Sequence, residues 1–250
     1  MQSRLFLIAA LLGWSVSPVW AQNQEEPVYV RRFSAGATLS VMGLSMIPGN
    51  EVNVTLTTPA FSARHATTSK QKRIGYGFTA QLMLTERIGV GVNPLLRRIN
   101  YNLDTDIHEG VDNPNTIVDE RFFRTRDEET RARLLDIPIT VRYYGKDRHD
   151  DGPRWFFDVG GAIRKVYNIG SSSFTTSAGG QPVCCDLTPS QARKTSINGL
   201  VGGFGVQVAD EVGLKVVPMV RYTRWLGTTF DSLSTRTRRD QVEAMISITF

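Results

Sequence analysis

Charged residues recur inside segments where apolar and polar side chains alternate. The set is Arg97, Asp136, Arg142, Asp158, Arg164, Lys215, Arg221 and Glu243, five cations and three carboxylates. Brought together in a confined interior, such groups must pair or stay hydrated. Their chemistry is then either a salt-bridged structural plug or a narrow path for a solute or protons. The histidines are three, His65, His108 and His149. His65 precedes Thr67, Thr68 and Ser69, residue types that suit a Ser–His hydrolase, but no nucleophile elbow, His-x-Ser strand motif or triad spacing accompanies it. Asp104, Asp106 and His108 start like a calcium loop; Glu109 then occupies the glycine position and Asn115 the place of the closing Glu. A solvated acidic loop is the expectation there, and for the stretch from Asp147 to Gly152 as well. Gly202-Gly203-Phe204-Gly205 resembles a phosphate turn, yet no helical pattern follows it. The two cysteines, Cys184 and Cys185, are adjacent and cannot staple distant segments. They leave open a vicinal disulfide, a metal pair or two incidental loop thiols. The expectation is a chain without catalytic, metal or cofactor residues.

The elements that must position the charged set read as strands. Segments near 33–43, 73–84, 88–101, 131–144, 154–167, 194–208, 212–226 and 239–250 alternate with a period of two, which excludes a helical protein. In the last, Val242, Ala244, Ile246, Ile248 and Phe250 share one face; Gln241, Glu243, Met245, Ser247 and Thr249 share the other. Asp136 and Arg142 oppose Leu135, Ile137, Ile139, Val141 and Tyr143. Asp158 and Arg164 oppose Trp155, Phe157, Val159 and Ile163.

Spacer lengths add direction. Connections after the second, fourth and sixth segments are short, and those after the odd-numbered ones are long. Outer-membrane barrels alternate in this way, with short periplasmic turns and long extracellular loops. The predicted fold is therefore all-β: a single antiparallel up-and-down transmembrane β-barrel of eight strands, both termini periplasmic. Strand character at 51–57 and 116–124 could extend the hairpins above the membrane, or add a fifth pair and make ten strands. A soluble lipocalin-like barrel would have the same alternation with the apolar face inward. One-sided long loops, aromatics near strand ends (Trp155, Tyr143, Tyr144, Tyr222, Trp225) and a terminal aromatic favour the membrane version. Pro94, Pro138 and Pro218 fall within proposed strands, so local bulges are expected there, or strands shorter than these limits.

The ends fit export. Arg4, the apolar run Leu5–Leu12 and Val19-Trp20-Ala21 have the three parts of a signal peptide at 1–21. A periplasmic extension at 22–32 and a barrel domain at 33–250 follow. Mean hydropathy is −0.19, which suits a barrel whose alternate residues face a polar lumen.

The run Val242-x-Ala244-x-Ile246-x-Ile248-x-Phe250 resembles the signal by which the barrel-assembly machinery takes up bacterial outer-membrane proteins. Leu134-Leu135-Asp136-Ile137-Pro138-Ile139-Thr140-Val141-Arg142-Tyr143-Tyr144 looks like the "L-E-I-P-L…K-Y" strand of the outer-membrane β-barrel domain family that includes PorT-like proteins. Asp136 replaces the usual Glu, and Arg142 the usual Lys. The resemblance implies an outer-membrane address in a Gram-negative-type envelope, within a group of small barrels, PorT-like or OmpA-like, mostly of unassigned function.

Net charge is +5, one less once Arg4 is removed. The surplus lies at the presumed outer strand ends: Arg64, Lys70, Lys72, Arg73, Arg98, Arg121, Arg124, Arg126, Arg131, Arg133, Arg193, Lys194, Arg236, Arg238 and Arg239. Facing anionic lipopolysaccharide, such a collar could hold phosphates through point charges and bidentate forks; a plain solvated surface is the equal alternative. The expected partners are outer-membrane lipids, lipopolysaccharide and the assembly machinery, with nucleic acid excluded by location. Three roles stay open: an envelope-structural or loop-borne binding and adhesion protein, a small-solute channel or transport accessory, and a surface lipid-modifying hydrolase. The first is the expectation.

Overall fold

The computed structural model describes residues 32–57, 60–111, 113–117, 121–150, 152–177, 182–183, 192–210 and 213–250. The leader at 1–21, most of the extension at 22–32, and Cys184 and Cys185 lie outside the described residues.

The wall is built from β1 (Phe33–Met42), β4 (Ile74–Met83), β5 (Ile88–Val92), β6 (Leu95–Glu109), β7 (Phe122–Tyr144), β8 (Arg154–Ser177), β10 (Ser196–Ala209), β11 (Lys215–Trp225) and β12 (Asp240–Thr249). Each pairs antiparallel with its neighbour. The sheet closes where β1 meets β12, with Gly36 opposite Thr249 and Met42 opposite Glu243. β5 and β6 form one wall strand interrupted at Asn93-Pro94: against β4, Val92 faces Ala80 and Leu95 faces Gly77, so the register carries through. The result is a closed eight-stranded antiparallel barrel.

Two further strands, β2 (Asn50–Thr57) and β3 (Ala60–Ser69), form a hairpin in the connection between β1 and β4. They do not enter the wall. β3 pairs with the upper part of β6, Ser69 opposite Tyr101 through Phe61 opposite Glu109. That removes the ten-stranded alternative. The long connections at 102–130 and 168–193 carry much strand among their described residues: β6 and β7 stay paired out to Glu109 and Phe122, and β7 and β8 out to Arg124 and Ser177. At about 3.3 Å per residue, the 23 residues of β7 run far beyond an apolar layer about 30 Å thick. The upper sheet also includes the short β9 (Pro182–Val183), paired with β8.

Pro138 and Pro218 behave differently from expectation, whereas Pro94 divides the strand proposed at 88–101. Pro138 is buried and keeps its register, Pro138 opposite Ala162, and its carbonyl accepts from the Asn93 N–H at 3.3 Å. Pro218 points outward, and its ladder to β10 skips from Met219 to Val216 without shifting. Only Pro94 interrupts a strand. A missing N–H costs one rung, and here the neighbouring rungs hold the alignment. Gly77 makes the Pro94 break fit, because a Cβ there would lie 1.8 Å from the Pro94 carbonyl oxygen. The register shift of the β7–β8 ladder is elsewhere: Arg131 faces Gly170 and Arg133 faces Tyr167, so β8 carries one extra residue opposite Ala132.

The two faces of the wall settle which alternating set points inward. Val159 is 67% exposed while the adjacent Asp158 is 4% exposed. The same holds around the wall: Leu39, Phe78, Leu82, Ile139, Val141, Phe157, Leu200, Phe204, Val220 and Ile246 are exposed, and the charged set is buried. A soluble barrel has the reverse arrangement.

Candidate functional site

Strand alternation alone carries the charged side chains inward. Arg97 shares its face of β6 with Leu95, Ile99 and Tyr101; Asp136 lies between Leu134 and Pro138 on the inner face of β7. Arg164 of β8 grips Asp136 as a two-pronged fork, Nε to Oδ1 at 2.6 Å and Nη2 to Oδ2 at 2.8 Å. Arg97 Nε donates to the same carboxylate at 3.1 Å. Its Nη2 donates to Ser40 Oγ at 2.9 Å and to Glu243 Oε2. Glu243 also accepts from Arg221 Nε at 2.6 Å and from Ser40 Oγ at 2.6 Å. A continuous chain results, Arg164–Asp136–Arg97–Glu243–Arg221, crossing the lumen on β8, β7, β6, β12 and β11. Both carboxylates are shared between two guanidiniums, the arrangement that lets buried charges compensate one another.

A second pair sits closer to the end where the short turns lie. Arg142 Nη2 donates to Asp158 Oδ2 at 3.3 Å and Nη1 to Gln81 Oε1 at 3.2 Å. Its guanidinium stacks 3.9 Å from the Phe156 ring centroid, as Arg164 does 4.0 Å from that of Trp225. The Trp225 indole N–H donates to Gln241 Oε1 at 3.1 Å. Lys215 is buried at the turn end of β11, across from Thr249.

Apolar side chains enclose the charged layer on both sides. At the turn end these are Met83, Leu95, Tyr144, Phe156, Val217, Met219 and Met245. At the loop end, Met46 and Ile47 from the connection after β1, and Phe230 from the β11–β12 connection, fold down onto Met42, Ile99, Tyr101, Ala132, Leu134 and Val166. Phe230 meets Tyr101 edge-on at 5.6 Å. Hydroxyls tie the inturned loops together: Thr67 Oγ1 lies 2.8 Å from Thr235 Oγ1 and 3.0 Å from Ser234 Oγ, and the Arg238 N–H donates to the Met46 carbonyl at 2.7 Å. Sequence reasoning missed this plug. Its only signal was a few apolar residues in otherwise polar loops.

The other candidates are scattered. His65 is on β3 rather than in a loop, and its Nδ1 lies 3.1 Å from Thr105 Oγ1. His108 packs on Phe123, with centroids 4.8 Å apart, and His149 lies 3.2 Å from Glu86 in the turns. Asp104 and Asp106 belong to extended β6, not to a cation loop, and Asp104 stands directly across from Asp127. Burial first, then repulsion from Asp127 and Asp106, raises the Asp104 carboxyl above its usual range. Among the described residues no group of three or more His, Cys, Asp or Glu side chains is placed to hold a metal. Gly202, Gly203 and Gly205 lie in β10, as wall positions. Val242, Ala244, Ile246 and Ile248 line the outer face of β12, and Phe250 follows them, 64% exposed.

No family model matches the chain, and no curated protein matches it. Among solved structures it is similar to the outer membrane protein OprG from Pseudomonas aeruginosa, at 12% identity and a TM-score of 0.47, over 87% of this chain and 93% of that one. LpxR from Salmonella typhimurium is a more distant match, at 10% identity and a TM-score of 0.29, over 87% of this chain and 99% of that one.

Proposed function

We propose that the chain is an integral outer-membrane β-barrel with a closed lumen, serving the envelope as a structural or loop-borne binding and adhesion protein and not as an enzyme. The observation that carries this reading is the inverted wall. A ring of exposed Leu, Ile, Val and Phe surrounds an interior of paired charges, which water would destabilise and a bilayer would favour. The lumen supports the closed part of the reading, since its ion-paired layer is covered by apolar side chains at both ends. An eight-stranded barrel is only wide enough for side chains to fill. The raised sheet of β2, β3, β6, β7 and β8 supplies the surface on which a binding role would be carried.

In this reading residues 1–21 direct export, both termini face the periplasm, and the apolar row from Val242 to Phe250 is the feature presented to the assembly machinery. The test is cold-gel electrophoresis on outer-membrane fractions, followed by reconstitution of the same preparation in planar bilayers. The expected result is a band that shifts on boiling, resists salt extraction, and gives no steady single-channel conductance. A band that does not shift, in protein released by salt, overturns the membrane barrel. Stable unitary conductance overturns the closed lumen.

A further inference from the structure

Just above the apolar belt, on the outside of the barrel, the wall opens. β4 stays paired with β6 only as far as Gly75 opposite Arg97, and β3 joins β6 only from Ser69 opposite Tyr101. Between them, on the edge away from β7, Arg98 and Ile99 of β6 have no strand partner, and the Asn100 carbonyl is met only by the Lys70 N–H at 3.0 Å, where the segment carrying Lys70 and Lys72 skirts the gap. On the far side of β7 the ladder to β8 shifts between Arg131 and Arg133, where β8 carries an extra residue at Asn168, with φ +51°. Bulges re-aim side chains. Together these irregularities form a cleft of about 530 Å³ lined by Lys70, Lys72, Arg98, Arg131, Arg133 and Asn168, with no acidic side chain in its lining.

The register makes this more than a charge cluster. Arg98 stands directly across from Arg133 on the same outward face, a like-charge cross-strand pair that disfavours the sheet unless something neutralises it. Arg131 is already paired, its Nη2 2.9 Å from Glu129 Oε2. Among the described residues no carboxylate lies within ion-pair distance of Lys72, Arg98 or Arg133. Two guanidinium forks and an ammonium facing one space match the oxygens of a phosphate. Directly below, Arg98 and Arg133 also border a smaller hollow of about 60 Å³ whose other lining residues are Tyr76, Leu96, Arg97 and Tyr167. A free anion has no use for that aromatic floor. A lipid does, with its phosphate above and its chain below.

We infer that this cleft binds the phosphorylated headgroup of a membrane lipid in the leaflet at the loop end of the barrel. The inference rests on the membrane reading above and narrows the general basic collar to one site. The experiment uses the full chain in dodecylmaltoside micelles, with binding read by native mass spectrometry. The probes are diphosphorylated lipid A, its dephosphorylated form and inorganic phosphate. The expected result is retention of the phosphorylated lipid alone, weakened about thirtyfold in R98Q/R133Q if each cation contributes as it does at an anionic membrane surface. R64Q, on the hairpin away from the cleft, should bind as the unaltered protein does. Should R98Q/R133Q misfold, R98K/R133K keeps the charge and removes the forks, and weaker binding is expected there too. Equal retention by the variants overturns the site. Equal retention of the dephosphorylated lipid overturns phosphate recognition, and equal affinity for inorganic phosphate overturns the lipid. Heat-modifiability of each sample separates the two readings: a folded, boiling-sensitive barrel that retains no lipid sinks the cleft alone, whereas an unshifted band sinks the membrane barrel beneath it.

Discussion

Arg164 with Asp136 in the lumen, and Arg64 with Glu51 on the raised hairpin, make nearly the same contact. Both are two-pronged forks, at 2.6 and 2.8 Å in the first and 2.8 and 3.2 Å in the second. Their surroundings differ completely. The lumen pair is 0% and 4% exposed, the hairpin pair 55% and 47%. Contact geometry is therefore no guide to what each pair does for the fold. In the lumen both charges have left water and depend on one another, so losing one strands the other. On the hairpin either charge can return to solvent, and salt screens what attraction remains.

The largest effect expected from that contrast is at Asp136, which serves both Arg97 and Arg164. Asp136→Ala leaves the three guanidiniums of the chain, Arg164, Arg97 and Arg221, with one remaining carboxylate, Glu243, and Arg164 with no carboxylate of its own. It should cost about 3–5 kcal/mol of stability, the range for breaking a buried pair. Urea titration of the refolded barrel, followed on cold gels, measures it. A midpoint within error of the unaltered protein would mean that the lumen is wetter than its packing implies.

A second variant set asks whether the lumen charges stabilise the barrel or only need one another. Asp158→Leu alone leaves Arg142 without its carboxylate and should cost about 3 kcal/mol. Adding Arg142→Met replaces the pair by apolar groups beside Phe156 and Met219, and should bring the loss to within about 1 kcal/mol. Non-additivity in the same urea assay is the signature. Two losses that simply add would argue against a mutually dependent pair.

This contrast also shows which parts of the molecule were legible in the sequence. Period-two alternation around Asp136, Arg142, Asp158 and Glu243 is enough to put these residues on one face, because a strand has only two faces. It cannot say which face is the interior, and a soluble barrel would have used the same string the other way round. Nor can it say which cation meets which carboxylate. Arg97 and Glu243 are 146 positions apart, and their meeting depends on the closure register between β1 and β12. The plug was hidden for a related reason: Met46, Ile47 and Phe230 sit in connections without periodicity, where an apolar residue gives no direction. The extra length of β6, β7 and β8 was hidden by composition. Segments such as Asp104–Asp106 and Arg124–Glu129 are polar on both faces above the belt, so alternation fades although pairing continues.

The smallest effect belongs to the hairpin. Glu51→Gln removes the carboxylate that Arg64 grips and keeps its shape. The hydrogen bond from Arg64, and then its charge, hold the Glu51 carboxyl below its ordinary value of 4.5. A carboxylate with a depressed pKa contributes stability that is fully present above its ordinary titration range and lost as pH falls through the lowered value. Any effect of this pair should therefore exist at pH 7 and disappear in acid, and E51Q should remove that pH dependence. Because both side chains stand in water, the expectation for the whole barrel is no resolvable shift of the urea midpoint. Amide exchange across 50–69 is the finer measurement. It should speed up slightly in E51Q at low ionic strength and match the unaltered protein at high salt, where the attraction is screened. A global loss as large as that of Asp136→Ala would show that the hairpin supports the barrel rather than riding on it, and the contrast between the two forks would fail.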